Sequence, residues 1–392
     1  MLALRLARGA RPLVQLRRLL VAAASAGTGF LLLCTLGYAM GHPEASGGAA
    51  LRLAWCVAPI AATVYFAVTV ARTDPATRPR SGLSAVGLGP ARLTVLAAIS
   101  TAVACSLGSM VALLFFLHLR GDLTGLPFDG AAAELLAADT PLPLAAALTL
   151  LTLVPLTASV ASALVLRPRP AKRGTQQEQD DPERPDAPAA APSGLPWGVA
   201  LLAAGLAVET YASRAGGAAG ESALAMPGGL NGGSGGVLAG WGLTALGLAV
   251  AGPGLTYLCG RILQSVRPGA MRLLAGRALQ EEARRIGRPL GVLCAVASGG
   301  YAALSLYSGS RPDIGPLTTL GSLLVVGCAV LTLATAAIEA KNARSDTTAA
   351  LLQLGAPMTM LRGSAALRAG ALAALFGPLT WLVAELAALP LV

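Results

Sequence analysis

His42 and His118 are the two histidines of a chain of 392 residues, and neither stands in a pattern that does chemistry. A His-Glu-x-x-His pair would hold zinc, and a Gly-x-Ser-x-Gly turn would present a nucleophile; the sequence has neither. Cys34, Cys56, Cys105, Cys259, Cys294 and Cys328 form no Cys-x-x-Cys pair. Each falls in an apolar run or, for Cys259, directly at its end, where a thiol packs as a small apolar group rather than as a metal ligand or half of a disulfide. Gly252-Pro253-Gly254 is the nearest approach to a phosphate cradle, but it has no lysine and lies inside an apolar run. Without a Gly-x-x-x-x-Gly-Lys-Ser/Thr loop, any use of ATP must draw on a hydrolase carried by a separate chain. No catalytic residue, cofactor or metal ligand is expected. Ionisable groups deep in apolar surroundings would mark a proton or ion path. Glu209, Glu385, Arg368 and His118 all fall near the ends of apolar runs, where an interfacial position accounts for them.

The elements that carry these residues follow from composition. With 55% hydrophobic and 12% charged residues and a mean hydropathy of +0.66, the chain is too apolar for a fold whose surface meets water. It has about nine runs of the roughly 20 residues needed to cross a hydrocarbon core. They are 19–40, 51–71, 93–117, 142–166, 197–212, 237–258, 289–307, 317–337 and 366–389. A backbone in lipid must satisfy its own polar groups, and the runs lack the alternation of barrel strands, so each is expected as a helix. The predicted fold is all-α, a polytopic transmembrane helical bundle. The run 197–212 is the weakest, being short and carrying Glu209, and 366–389 contains Pro378 and Glu385.

The net charge of +10 points to topology, not to nucleic acid, because the arginines gather in alternate loops. Arg5, Arg8, Arg11, Arg17 and Arg18 precede the first run; Arg72, Arg78, Arg80 and Arg92 follow the second. Further clusters occupy 167–184, 261–288 and 341–368, whereas 41–50 has no Lys or Arg and 121–141 carries Asp122, Asp129, Glu134 and Asp139. The positive-inside rule puts the N-terminus in the cytoplasm, and about nine crossings put the C-terminus outside. The first run reads as a retained helix rather than a signal peptide, since it exceeds the usual core of about 7–15 residues and no Ala-x-Ala site follows. Lys172 and Lys341 are the sole lysines among many arginines, a usage expected of a GC-rich bacterial genome and hence of a bacterial plasma (inner) membrane.

Residues 167–196 are rich in Pro, Arg, Asp, Glu and Gln and read as a disordered cytoplasmic linker between an N-terminal membrane half, 1–166, and central spans, 197–260. The C-terminal half is 261–392. The outer segment 216–236 is mostly Gly, Ala and Ser and reads as a flexible loop. Arg17-Arg18-Leu19-Leu20-Val21 leading to Gly29-Phe30 can be laid on Arg288-Pro289-Leu290-Gly291-Val292 leading to Gly300-Tyr301 at constant offset. Two runs later, Arg78 stands eleven residues before Gly89, and Arg344 eleven before Gly355; the glycines follow Leu88 and Leu354. The halves therefore read as two parallel pseudo-repeats. Residues 349–354 form a short helix with Gly355 as its C-cap, and 269–286 a second amphipathic helix lying at the membrane surface, with Leu2, Leu4 and Leu6 as a possible N-terminal counterpart. Ser298-Gly299-Gly300 reads as close helix packing.

The loops before the third and last runs resemble the FtsX-like permease family, the membrane subunits of ABC transporters that include MacB-type exporters. In that family a cytoplasmic segment Arg-x-x-Glu-x-Ala-x-Leu-x-x-Leu-Gly-Ala precedes a long span. Arg344-Ser345-Asp346-Thr347-Thr348-Ala349-Ala350-Leu351-Leu352-Gln353-Leu354-Gly355-Ala356 keeps the Arg, Ala, Leu, Leu-Gly and Ala places, with Thr347 at the acidic place and Asp346 one residue early. The first copy keeps Arg78, Leu88 and Gly89 but has Ser81, Leu83 and Ala85 where Glu, Ala and Leu stand in the family. The resemblance covers about half of the chain. It implies a permease driven by an ABC-type ATPase on another chain, moving an amphiphile, peptide or lipid, and working as a homodimer or with a second permease. Arg78, Leu88, Gly89, Arg344, Asp346, Leu354 and Gly355 would then shape the ATPase contact. Two departures stand out. The large extracytoplasmic domain of many relatives has no room in 41–50 or 308–316, and the last run is not followed by a span returning to the cytoplasm. Either that helix is missing or Pro378 breaks 366–389 into a hairpin. An ion-gradient-driven carrier and a non-transporting transmitter of ATPase motion remain as alternative readings of the same residues.

Overall fold

The computed structural model describes residues 12–44, 46–74, 90–123, 130–134, 136–167, 191–219, 224–226, 230–233, 235–265, 269–307 and 315–388. Arg78, Leu88, Gly89 and most of the linker lie outside them. Eleven helices follow one another among the described residues: α1 Pro12–Gly41, α2 Ser46–Trp55, α3 Val57–Thr73, α4 Pro90–Arg120, α5 Leu144–Leu166, α6 Gly194–Ala219, α7 Gly235–Ser265, α8 Ala270–Tyr307, α9 Pro316–Ala343, α10 Ser345–Gln353 and α11 Met358–Ala388. Among the described residues eight stretches are long and apolar enough to cross a membrane: α1, α2 and α3 taken together, α4, α5, α6 to Arg214, α7, α9 and α11. The chain is a multi-pass membrane protein with an all-α fold.

Eight of the nine predicted runs fall on these stretches, and the ninth, 289–307, is the C-terminal half of α8. Between α6 and α7 the glycine-rich loop is not featureless: β1, Leu224–Met226, and β2, Leu230–Gly233, pair antiparallel with Leu224 opposite Gly233. Pro378 does not break the last run. α11 continues through it from Met358 to Ala388, and beside the proline Thr380 Oγ1 and Cys294 Sγ both donate to Phe376 O, at 2.7 and 3.5 Å, the latter tying α11 to α8.

The chain divides into two units. The first comprises residues 1–170 and 314–332. α1 runs through its centre, packed on α3, α4 and α5. Small residues let the backbones approach: a Cβ on Gly108 would strike Ala22 O of α1. Hydroxyls then bridge the helices, Thr28 to Thr63 at 2.9 Å, Ser25 to Cys105 O at 2.9 Å and Ser109 to Leu151 O at 3.0 Å. In lipid, tail and side chain are equally apolar, so such packing and hydrogen bonds hold helices together where a hydrophobic drive is absent. At one end Arg18 pairs with Asp74 at 2.6 Å, and Arg17 donates to Thr73 Oγ1. At the other, the Arg120 side chain, 2% exposed, donates to Thr140 O and lies 3.4 Å from Asp122, which ties the predicted acidic outer loop to the end of α4.

The second unit comprises residues 171–313 and 333–392. α6, α7 and α8 are antiparallel neighbours, and α11 packs on α8. The α7–α8 contact is backbone against backbone. A Cβ on Gly252 would strike Gly287 O, one on Gly291 would strike Leu248 O, and one on Gly287 would come within 2.5 Å of Pro253 Cα. The packing predicted at Gly299 and Gly300 is not found: a Cβ at either meets nothing within 4 Å. Both lie on the exposed side of α8, while Gly252, Gly287 and Gly291 occupy the face that meets its neighbour.

Candidate functional site

α8 places the first component. Its N-terminal part was expected to lie at the membrane surface as a separate helix, yet α8 is continuous from Ala270 through Pro289 to Tyr307. The amphipathic stretch is therefore a stem that prolongs the span. One side of it faces protein: Ala275, Leu279 and Ala283 are buried, and Gly260 of α7 sits against Gly276 and Leu279, while Met271 and Leu273 are exposed. Glu282 lies three residues after Leu279 and seven after Ala275, which puts a carboxylate on the apolar stripe. Read from the sequence, Glu282 belongs with Arg272, Glu281, Arg284 and Arg285 on the polar side of this helix; the structure corrects that, burying Glu282 while the other four stay exposed. A carboxylate so placed demands a partner.

α9 and α10 supply it. Arg344 stands at the junction between them, its Nε 2.6 Å from Glu282 Oε1 and within 3.2 Å of Ala340 O. Arg368, on the first turns of α11, approaches the other carboxylate oxygen at 4.0 Å. One buried acid thus gathers α8, the head of α10 and the base of α11; Met271 of the stem also lies against Gly363 of α11. Burial pushes the Glu282 carboxyl up to about 7, against the lowering effect of Arg344 and Arg285 and with a further rise from Glu281.

From Arg344 the chain makes a nine-residue helix and stops. Gly355 takes φ +85°, Ala356 N donates to Leu351 O and Gly355 N to Leu352 O, both at 3.0 Å. This is the Schellman arrangement, in which a left-handed residue lets two carbonyls at the helix end find donors, and glycine adopts it without a Cβ penalty. The turn leaves Leu354 84% exposed, flanked by exposed Leu352 and Met358. Asp346 lies in the first turn of α10. Arg344, Leu354 and Gly355 are thus assembled on one element, and the structure adds Glu282 and Arg368 to them.

Glu209, expected near the end of its apolar run, is enclosed by protein. It is 0% exposed within the α6 span, with Gly240 of α7 packed on its Cβ and Trp241 Nε1 donating to its Oε1 at 2.6 Å. The close approach of α6 and α7 at Gly205 and Gly240 encloses the side chain, an effect that the position of Glu209 along the helix does not reveal. Glu385 accepts a hydrogen bond from Tyr301 at 3.3 Å and joins α11 to α8.

The sign of the Glu282 effect is open to test. Its carboxyl ionises near the ordinary 4.5 in the unfolded chain and at about 7 when folded, so the folded state binds more protons between those values. Stability contributed by this group is full below about 4.5, falls as pH rises toward about 7, and is flat above. Melting of the detergent-solubilised chain across that window should show the fall, and Glu282→Gln should remove its share.

No family model, curated protein or solved structure matches the chain.

Proposed function

We propose that the chain is the membrane permease subunit of a bacterial ABC transporter, in the plasma membrane with its N-terminus in the cytoplasm. It couples hydrolysis by a separate ATPase to movement of an amphiphile, peptide or lipid. The observation that carries this reading is the short helix α10, which ends in a glycine turn, presents Leu354 to solvent and is tied at its head to two membrane-linked helices. Apolar side chains held out on a fixed helix are what an ATPase groove needs in order to push on a permease. ATP-driven closure would act through α10 and its first-half counterpart near Gly89, and a second copy or second permease would complete the transporter. Affinity purification of the tagged chain in mild detergent, with identification of partners by mass spectrometry, tests this. An ABC-type ATPase is the expected partner, and a clean preparation, repeated under crosslinking, would refute it.

The enclosed carboxyl of Glu209 favours one second reading, a carrier driven by an ion gradient, because acidic groups inside spans serve to bind coupling ions or protons. That reading requires the clean preparation.

A further inference from the structure

We infer that Glu282 is the positioning residue of the α10 site, a joint whose contacts with Arg344 and Arg368 fix the direction of the short helix relative to the stems of α8 and α11. The inference rests on the reading of α10 as a partner-contact element. Nine residues are too few for a helix to hold its own geometry in water, since nucleation costs more than so short a ladder returns. α10 must borrow its direction from what it is tied to. Its head is tied to an acid that is itself 9% exposed, on a helix locked to α7 through Gly252, Gly287 and Gly291. A load on Leu354 is therefore carried to α8 by Arg344 and to α11 by Arg368.

Charge suits this joint better than an apolar contact does. A buried pair adds little stability, but it admits few geometries, and loss of one partner strands the other. Glu281 and Arg285 on α8, Arg344 and Arg368 bear on the carboxyl, while α7 contributes Tyr257, Cys259 and Arg261 as its ionisable side chains. Because burial pushes the Glu282 carboxyl up to about 7, a proton taken up below that value releases Arg344. Stability and positioning then run in opposite directions with pH. Protonation relieves the burial cost, so the chain melts higher, while the joint loosens.

The test uses the full chain in lipid nanodiscs with nitroxides at Arg277→Cys and Thr347→Cys, both exposed, the native cysteines being buried. Double electron–electron resonance reads the spread of distances between α8 and α10. A narrow distribution is expected for the parent chain at about pH 8, and one about twofold broader in Glu282→Gln, as for a segment freed at one end. The exchange Glu282→Arg with Arg344→Glu should restore the narrow one. Should Glu282→Gln fail to fold, the parent chain alone decides: it should broaden at about pH 6, below the folded ionisation of Glu282. Equal widths for parent and Glu282→Gln, equal widths at the two pH values, or broadening that the exchange does not reverse would overturn the joint. None of these readings needs an ATPase, so failure of the permease proposal is seen separately, in the capture experiment.

Discussion

Leu354→Glu is expected to abolish capture of the ABC-type ATPase proposed as the partner of the tagged chain. Leu354 is 84% exposed, so the change should cost the fold no more than about 0.5 kcal/mol, as for other surface positions. A central apolar anchor contributes about 2 kcal/mol or more to an interface, which corresponds to a loss of affinity of about thirtyfold. Introducing a charge adds the cost of burying it unpaired. Gly355→Glu should give the same loss by another route. At φ +85° a side chain is strained by about 1 kcal/mol, and a Cβ there meets nothing else, so the effect is on the turn that aims Leu354. ATPase activity measured on the reconstituted pair should lose its dependence on the permease in both variants. Undiminished capture and coupling in Leu354→Glu would remove α10 from the interface.

The second large effect is on the fold. Gly291→Val or Gly252→Val should destabilise the second unit by about 3 kcal/mol or more, because the new Cβ would strike a backbone carbonyl across the α7–α8 contact, and backbone cannot swing aside as a side chain does. Gly300→Val, nine residues from Gly291 on the same helix, should change the melting temperature little, since nothing lies within 4 Å of its Cβ. Scanning fluorimetry in detergent separates the two outcomes. Equal melting of the Gly291 and Gly300 variants would show that α7 and α8 are not in backbone contact.

Part of this arrangement is legible in the chain. Each apolar run long enough to cross a bilayer becomes a helix, because in lipid the backbone has no other way to satisfy its polar groups. The end of α10 is equally local: Leu354-Gly355 reads as a helix stop, and the left-handed φ needed there belongs to glycine. Glu282 reads as a polar-face residue beside Glu281, Arg284 and Arg285, and the structure buries it. The 3.6-residue period puts it with Ala275 and Leu279, but a period says which side of a helix a residue takes, not what lies opposite.

What lies opposite was decided by tertiary structure. Glycine abounds throughout the chain, so composition alone does not say that Gly252, Gly287 and Gly291 form a backbone contact while Gly299 and Gly300 have open space beside them. Glu209 stands where an interfacial residue would stand, and the close approach at Gly205 and Gly240 encloses it with Trp241. Pro289 reads as the start of a span and Pro378 as a break, yet helices pass through both. Apolar length and local turn chemistry are properties of neighbouring residues, so the sequence by itself determined a many-helix membrane protein and the glycine-ended helix α10. Pairing Glu282 with Arg344, 62 positions away, depends on how α8, α10 and α11 meet, and only the packed second unit decided that.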